Sequence, residues 1–281
     1  MSLFWLRVAV LLYGVAALAV LPAALFDRPR WRHIAIPATF TALLFHFVSF
    51  VETLNAAHHR LPVETHETLS LLGLIFAAAF LIVYWRYRTV ALGIFILPVC
   101  FLLGIVPAFR AGQQNGLFPQ PQAQLHGVWI FFHVTLLLAA YAALLLSLMA
   151  SVLYLIQERS LKANKSRKSK NVPRGTMWLP PLETTDQIAL KSLLFGLPLM
   201  TAGLLIGSFL AQQIKGFSYF MDPKVLLSFV LWLAYVGMIY IRRHSGLRGR
   251  RAAYLSGFVF LVALAVWAAN QLSAVHRFPT P

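Results

Sequence analysis

Histidines are the side chains of this sequence whose types and placement suggest chemistry. Of the nine present, His46 and His133 fall inside long uncharged runs, where an ionisable side chain is costly and so indicates either a function or a hydrogen-bond partner. Thr39, His46 and Thr53 recur at intervals of seven, which predicts one polar helix face directed into a helix bundle. Two roles are therefore open for His46: a functional one, and a hydrogen bond to a neighbouring helix.

Three kinds of site could use these histidines: a zinc site, a proton relay and a haem site. The segment HHRLPVETHE (58–67) offers zinc ligands, but its spacing matches no zinc motif and is typical of a solvated loop. A proton relay needs acidic residues within the helices, and Glu52 alone qualifies. Haem needs one or two histidines and a large apolar, aromatic slot, which 22 Phe, 9 Tyr and 7 Trp supply readily. The single cysteine, Cys100, excludes an internal disulfide and a cysteine-based metal site.

The elements that position these histidines are membrane helices. The chain is 59% hydrophobic and 11% charged, a composition that a water-soluble domain of 281 residues does not sustain. Uncharged runs long enough to cross about 30 Å of hydrocarbon predict an all-α, polytopic bundle of about eight transmembrane helices, forming one integral membrane domain over residues 1–281. The predicted spans are 4–25, 34–54, 68–84, 90–109, 127–155, 192–213, 225–241 and 252–272.

Lysine and arginine predict how the helices are oriented. The loops after the first, third, fifth and seventh spans carry 18 of them, against 5 on the opposite side. The positive-inside rule then places both termini on the non-cytoplasmic side and makes 157–191 a basic cytoplasmic loop. The net charge of +16 is thus explained by topology and by anionic membrane lipids, with no nucleic acid as partner. We expect a multi-pass protein of the bacterial cytoplasmic (inner) membrane.

This topology places several histidines near the outer surface. His133 lies about 9 Å along its predicted span at 1.5 Å per residue, and His126 lies two turns above it. His276 follows the last predicted span on the same side. By contrast, His33 and His244 adjoin arginines at cytoplasmic helix ends, where they are typical interfacial anchors.

Two segments resemble a known family. The run WIFFHVTLLLAAYAALLLSLMASVLYL (129–155) resembles the histidine-containing helix of the cytochrome c assembly membrane proteins, which include the CcsA, ResC and CcmC types. The segment GSFLAQQIKGFSYFMDPKVLLSFVLWLAYVGMIYIRRHSGLRGRRAA (207–253) is similar to the later part of the family. The length, and FHFVSF around His46, most resemble the short eight-helix HemX or YpjD branch.

The resemblance implies a site for haem b, held non-covalently at the outer face. His133 matches the external haem-ligating histidine of the family, His276 falls where larger members have a second one, and His46 matches a histidine in the second helix of the short branch. The external loop between the sixth and seventh helices would contact the porphyrin, and Lys215 or Lys224 would pair with its propionates. The candidate loop residues are Phe217, Tyr219, Phe220, Asp222 and Lys224.

Two departures from the family limit this interpretation. The loop IKGFSYFMDPK lacks the tryptophans of full haem-delivery members, and Tyr240 and Ile241 stand where some relatives have a transmembrane histidine. We therefore expect a haem-binding protein of cytochrome c biogenesis that is not an enzyme. Its expected partners are haem, a membrane protein of cytochrome c synthesis and apocytochrome c. The alternative is a membrane regulator of tetrapyrrole synthesis, or an adaptor, that acts through the basic loop. A transporter of another solute would be expected to show internal repeats, which the sequence lacks.

Overall fold

The computed structural model describes residues 2–26, 28–56, 65–110, 124–166, 180–215, 221–244, 246 and 249–268, and these residues are helical apart from short turns. The eight helices are α1 (Ser2–Leu25), α2 (Pro29–Ala56), α3 (Thr65–Tyr87), α4 (Gly93–Arg110), α5 (Gln124–Ser166), α6 (Leu182–Lys215), α7 (Pro223–His244) and α8 (Arg250–Ala268). The predicted all-α class and the number of helices are confirmed.

Seven of these helices are long and apolar enough to cross a membrane, and α4 has a shorter apolar stretch, Gly93–Phe109. Their outward-facing side chains are large and apolar: Leu18, Trp85 and Phe195 are each about 70% exposed or more. Such surface would be unstable in water and is suited to lipid. The chain is therefore a multi-pass membrane protein.

The segment 157–191, predicted to be a loop, is helical in much of its length. Helix α5 continues to Ser166 and α6 begins at Leu182, while residues 167–179 lie outside the described part of the chain. The uncharged run ends where the membrane span is expected to end, but charge does not terminate a helix. Glu158 and Lys162 are one turn apart on α5 and form an ion pair of 2.5 Å, which supports the helix beyond the apolar run.

Packing divides the chain into two compact units, a subdivision that the sequence did not predict. Unit 1 comprises Met1–Gly127 and Leu155–Thr185, and unit 2 comprises Val128–Tyr154 and Asp186–Pro281. In unit 1, α1 packs against α2 and α4, and α3 packs against α2 and α4.

Helices α1 and α4 of unit 1 approach closely and run antiparallel. A Cβ added to Gly104 would lie 2.6 Å from Val10, and one added to Gly14 would lie 3.1 Å from Phe101. Membrane helices gain stability from such close backbone approach, because lipid supplies no hydrophobic force between them.

Unit 2 has a core built from all four of its helices. Its buried residues are Ala140 and Leu144 of α5, Leu193 and Met200 of α6, Leu231, Tyr235, Met238 and Ile239 of α7, and Val259, Ala263 and Val266 of α8. Two polar bridges join its helices as well: the indole nitrogen of Trp232 donates to Thr201 Oγ1 at 2.9 Å, and Ser151 Oγ donates to Ser256 Oγ at 3.2 Å.

The ends of α7 follow from local sequence. Asp222 Oδ1 accepts the backbone N–H of Lys224 at 2.9 Å, so Asp222 caps the helix, and Pro223 occupies the first helical position, where it sacrifices no hydrogen bond. Between α7 and α8, Gly246 and Gly249 have φ of 56° and 72°, a left-handed conformation that glycine adopts without strain.

Candidate functional site

His133 lies on α5 in unit 2, half-buried against α6. Its Nδ1 is 2.7 Å from the backbone carbonyl oxygen of Gly203. A carbonyl oxygen only accepts, so Nδ1 carries the proton and donates. In the neutral imidazole, Nε2 then keeps its lone pair, and no described residue donates a hydrogen bond to it. This is the tautomer in which a histidine binds iron through Nε2 while its other nitrogen is held by the protein.

The imidazole of His133 rests on a glycine surface of α6. A Cβ added to Gly207 would lie 2.6 Å from Nδ1, 3.2 Å from Nε2 and closer still to Cε1, while one added to Gly203 would lie 2.8 Å from Leu137 Cδ2. Two adjacent turns of α6 therefore receive two side chains of α5 that are themselves one turn apart. Any larger residue at 207 would occupy the volume of the ring.

A charged group lies near this histidine. Lys224, in the first turn of α7, is half-buried and is close enough to His133 for their charges to interact. Asp222, which caps the same turn, is 6% exposed. The start of α7 thus adds a lysine to the surroundings of His133, suited to a carboxylate of a bound group.

Several predicted site residues lie outside the described part of the chain. These are His276 and the loop residues Phe217, Tyr219 and Phe220. His126 and Lys215 belong to described helices, but their side chains lie outside the described part as well. The structure therefore brings together His133, Asp222 and Lys224 in unit 2, and the roles of the other residues stay predictions.

His46 lies in unit 1, and its environment differs from that of His133. It is fully buried, its Nε2 is 2.9 Å from Ser70 Oγ of α3, and its Nδ1 is 3.4 Å from the Tyr13 hydroxyl of α1. The prediction that its polar helix face points inward is confirmed for Thr39, which is buried too, whereas Thr53 is half-buried. Both ring nitrogens are engaged, so haem ligation at His46 would require one of these hydrogen bonds to break.

No described residues form a group of three or more His, Cys, Asp or Glu side chains that could hold a metal ion. Part of the 58–67 segment, including His58, His59 and Glu64, is outside the described ranges. A single histidine with a bare Nε2 is a poor zinc site, because zinc needs three or four protein ligands. It fits haem, whose porphyrin already supplies four ligands and leaves one or two positions for the protein.

The partners of these two histidines had no signal in the sequence. Gly203 acts through its backbone, which has no residue-specific signature, and Tyr13 and Ser70 are single polar residues on other helices. The close approach of α5 and α6 did have one: Gly203 and Gly207 form a G-x-x-x-G pattern within the apolar run of α6, a spacing typical of close helix contact in membranes.

Comparison with known proteins agrees with the family resemblance. Residues 62–272 match the family described as Cytochrome C assembly protein. The chain is 30% identical over 192 residues to the cytochrome c biogenesis protein CcsA of Prochlorococcus marinus (strain MIT 9215), a match that covers 63% of this chain and 57% of that relative. It is 25% identical over 215 residues to CcsA of Guillardia theta, covering 72% of this chain and 69% of the relative. The first match thus spans little more than half of the curated relative. No solved structure matches the chain.

Proposed function

The chain belongs to the cytochrome c assembly protein family, and from that premise we propose that it binds haem b non-covalently as a step in cytochrome c assembly. His133 is the proposed principal ligand and His276 the second. The observation that carries the proposal is the hydrogen bond from His133 Nδ1 to the Gly203 carbonyl, because it leaves Nε2 as a free electron-pair donor. The role is one of binding and handling, without catalytic turnover by this chain.

The surroundings of His133 have complementary roles in this proposal. Lys224 pairs with a haem propionate, and Asp222 fixes the start of α7 from which that lysine projects. The loop residues Phe217, Tyr219 and Phe220 would contact the porphyrin through their rings, as the family resemblance implies. A bound haem would supply the iron centre, and this chain would supply the imidazole of His133 and the cation of Lys224.

We assign to His46 a structural role, that of a hydrogen-bond bridge between neighbouring helices. Its two hydrogen bonds, to Ser70 and Tyr13, join three helices of unit 1. An unpaired polar group in the membrane interior is costly, so this arrangement is a sufficient reason for a histidine at that position.

The proposed orientation places the start of α5 at the non-cytoplasmic face of a bacterial cytoplasmic membrane, with both termini on that side. The distribution of lysine and arginine supports it. Haem bound at His133 would then be accessible to an apocytochrome c and to a partner membrane protein of cytochrome c synthesis. The motif FHFVSF around His46 favours the short HemX or YpjD branch of the family.

The test is a titration of the purified, detergent-solubilised protein with haem, followed by its Soret absorbance. We expect saturable binding to the wild-type chain and strongly weakened binding to His133→Ala. His244→Ala is the matched control, because His244 is exposed at the far end of α7 and stacks on Tyr240. The proposal fails if the wild-type protein binds no haem, or if His133→Ala and His244→Ala bind it equally well. In that case, the better hypothesis is a membrane regulator or adaptor that acts through the basic segment 157–191.

A further inference from the structure

The surface of α6 beneath His133 is formed by backbone alone. Gly203 and Gly207 are four residues apart and so lie on one helix face, and His133 and Leu137 of α5 have the same spacing. The ring of His133 lies over Gly207 and the side chain of Leu137 over Gly203. We call Gly203 and Gly207 the glycine groove.

The groove gives His133 access to a hydrogen-bond acceptor that a helix normally hides. Within a helix, the carbonyl of Gly203 accepts the N–H four residues later, but its oxygen has a second lone pair. Side chains usually shield that lone pair. Because Gly207 has no Cβ, the imidazole can approach until Nδ1 is 2.7 Å from the oxygen.

We propose that Gly203 and Gly207 are positioning residues that lock His133 in the Nδ1–H tautomer and present its Nε2 to the haem iron. This proposal deepens the proposed function and rests on it for the identity of the ligand. The locking itself is a property of the apoprotein and does not depend on haem.

The chain contains glycines that do not have this property. Among the described residues, a Cβ added to Gly237 of α7 or to Gly257 of α8 would meet no neighbouring atom within 4 Å. At Gly207, by contrast, Nδ1 would have to retreat from 2.6 Å to the 3.4 Å at which ordinary contact begins. That retreat moves the ring away from α6 and breaks its bond to Gly203. An alanine at position 207 thus displaces His133, whereas an alanine at 237 or 257 changes only the helix propensity.

The first measurement is the tautomer of His133 in the apoprotein, read from the nitrogen chemical shifts of ¹⁵N-histidine-labelled protein. His133→Gln assigns the signals by their loss. We expect Nδ1–H with an unprotonated Nε2 in the wild type and in Gly237→Ala, and a mixture of tautomers in Gly207→Ala. An Nε2–H tautomer in the wild type would overturn the proposal even if Gly207→Ala did not fold.

The second measurement is haem affinity. Gly207→Ala should weaken it roughly 10- to 100-fold, the range found when the groups that orient a metal ligand are lost, and Gly237→Ala should leave it unchanged. If the wild type binds no haem but has the Nδ1–H tautomer, the proposed function is contradicted. The role of the glycine groove in fixing the tautomer is then still supported. If Gly207→Ala folds, keeps the tautomer and binds haem like the wild type, the positioning role of the glycine groove is contradicted. The proposed haem binding is then unaffected.

Discussion

At the scale of single residues, the two histidines within membrane helices differ in what their nitrogens do. His133 uses one nitrogen to hold itself against α6 and accepts no hydrogen bond from a described residue at the other, whereas His46 uses both to bridge helices. A ligand must offer a lone pair and a structural bridge must not leave one unsatisfied. The hydrogen bonds therefore separate a candidate ligand from a structural residue where the sequence left both roles open for His46.

The structural role of His46 predicts a loss of stability without a loss of binding. His46→Ala removes two hydrogen bonds and leaves Ser70 and Tyr13 without this partner, so we expect the free energy of unfolding to fall by about 1–3 kcal/mol. Tyr13→Phe removes only the longer bond and should cost less. Thermal unfolding in detergent measures both, and haem titration should give wild-type affinity for each variant. A His46→Ala protein that melts like the wild type but binds haem poorly would reverse the assignment.

Residue type singles out His133 as a candidate ligand, but the geometry around it is not predictable from the sequence. His133 was identified because an imidazole is rare in an uncharged run and because the surrounding segment resembles a known family. Its partner, a backbone carbonyl 70 residues away, could not be identified, since every residue has one. Tyr13 and Ser70 become partners of His46 only when α1 and α3 pack against α2.

At the scale of helices, each predicted span coincides with a helix and seven of the eight helices are long and apolar enough to cross a membrane, but the predicted ends differ from the observed ones. Hydropathy reports where a helix would leave the hydrocarbon, whereas capping and side-chain pairing decide where it stops. Helix α5 therefore continues through charged residues to Ser166, and α6 begins at Leu182, ten residues before the predicted span. The division into two packing units depends on contacts among distant helices, and no single segment encodes it.

An ion pair between α6 and α7 should contribute substantially to unit 2. Arg242 Nη2 donates to Asp186 Oδ1 at 2.7 Å, and the side chains are 2% and 19% exposed. Asp186→Ala removes the carboxylate from a buried guanidinium, which should cost on the order of 3 kcal/mol. Lys162→Ala, which breaks the exposed pair with Glu158, is the control and should cost less than about 0.5 kcal/mol. Thermal unfolding of the two variants measures the difference, and equal small effects would show that the buried pair contributes nothing.

At the scale of the whole molecule, function depends on which ends of the helices face out. The net charge of +16 is concentrated on alternate connections, and the proposed orientation places the start of α5 on the opposite side. Haem handling for an apocytochrome outside the cytoplasm requires this arrangement.

Cysteine labelling tests the orientation directly. Cys100 is fully buried, so the wild-type chain should not react with a membrane-impermeant maleimide. We expect Gln114→Cys to react in cells whose outer membrane has been permeabilised while the cytoplasmic membrane stays intact. We expect Lys168→Cys to react only in inverted membrane vesicles. The reverse pattern would place His133 near the cytoplasm and would remove the proposed contact with apocytochrome c.

Hyperfine-resolved electron paramagnetic resonance of the ferric haem complex measures whether His133 Nε2 binds the haem iron, as we propose. In protein labelled with ¹⁵N-histidine, we expect imidazole nitrogen coupling to the iron in the wild type and in His46→Ala. We expect a loss or change of that coupling in His133→Ala, restored when free ¹⁵N-labelled imidazole is added. Unchanged coupling in His133→Ala would contradict the proposal, because His133 would then not be among the histidines that bind the iron.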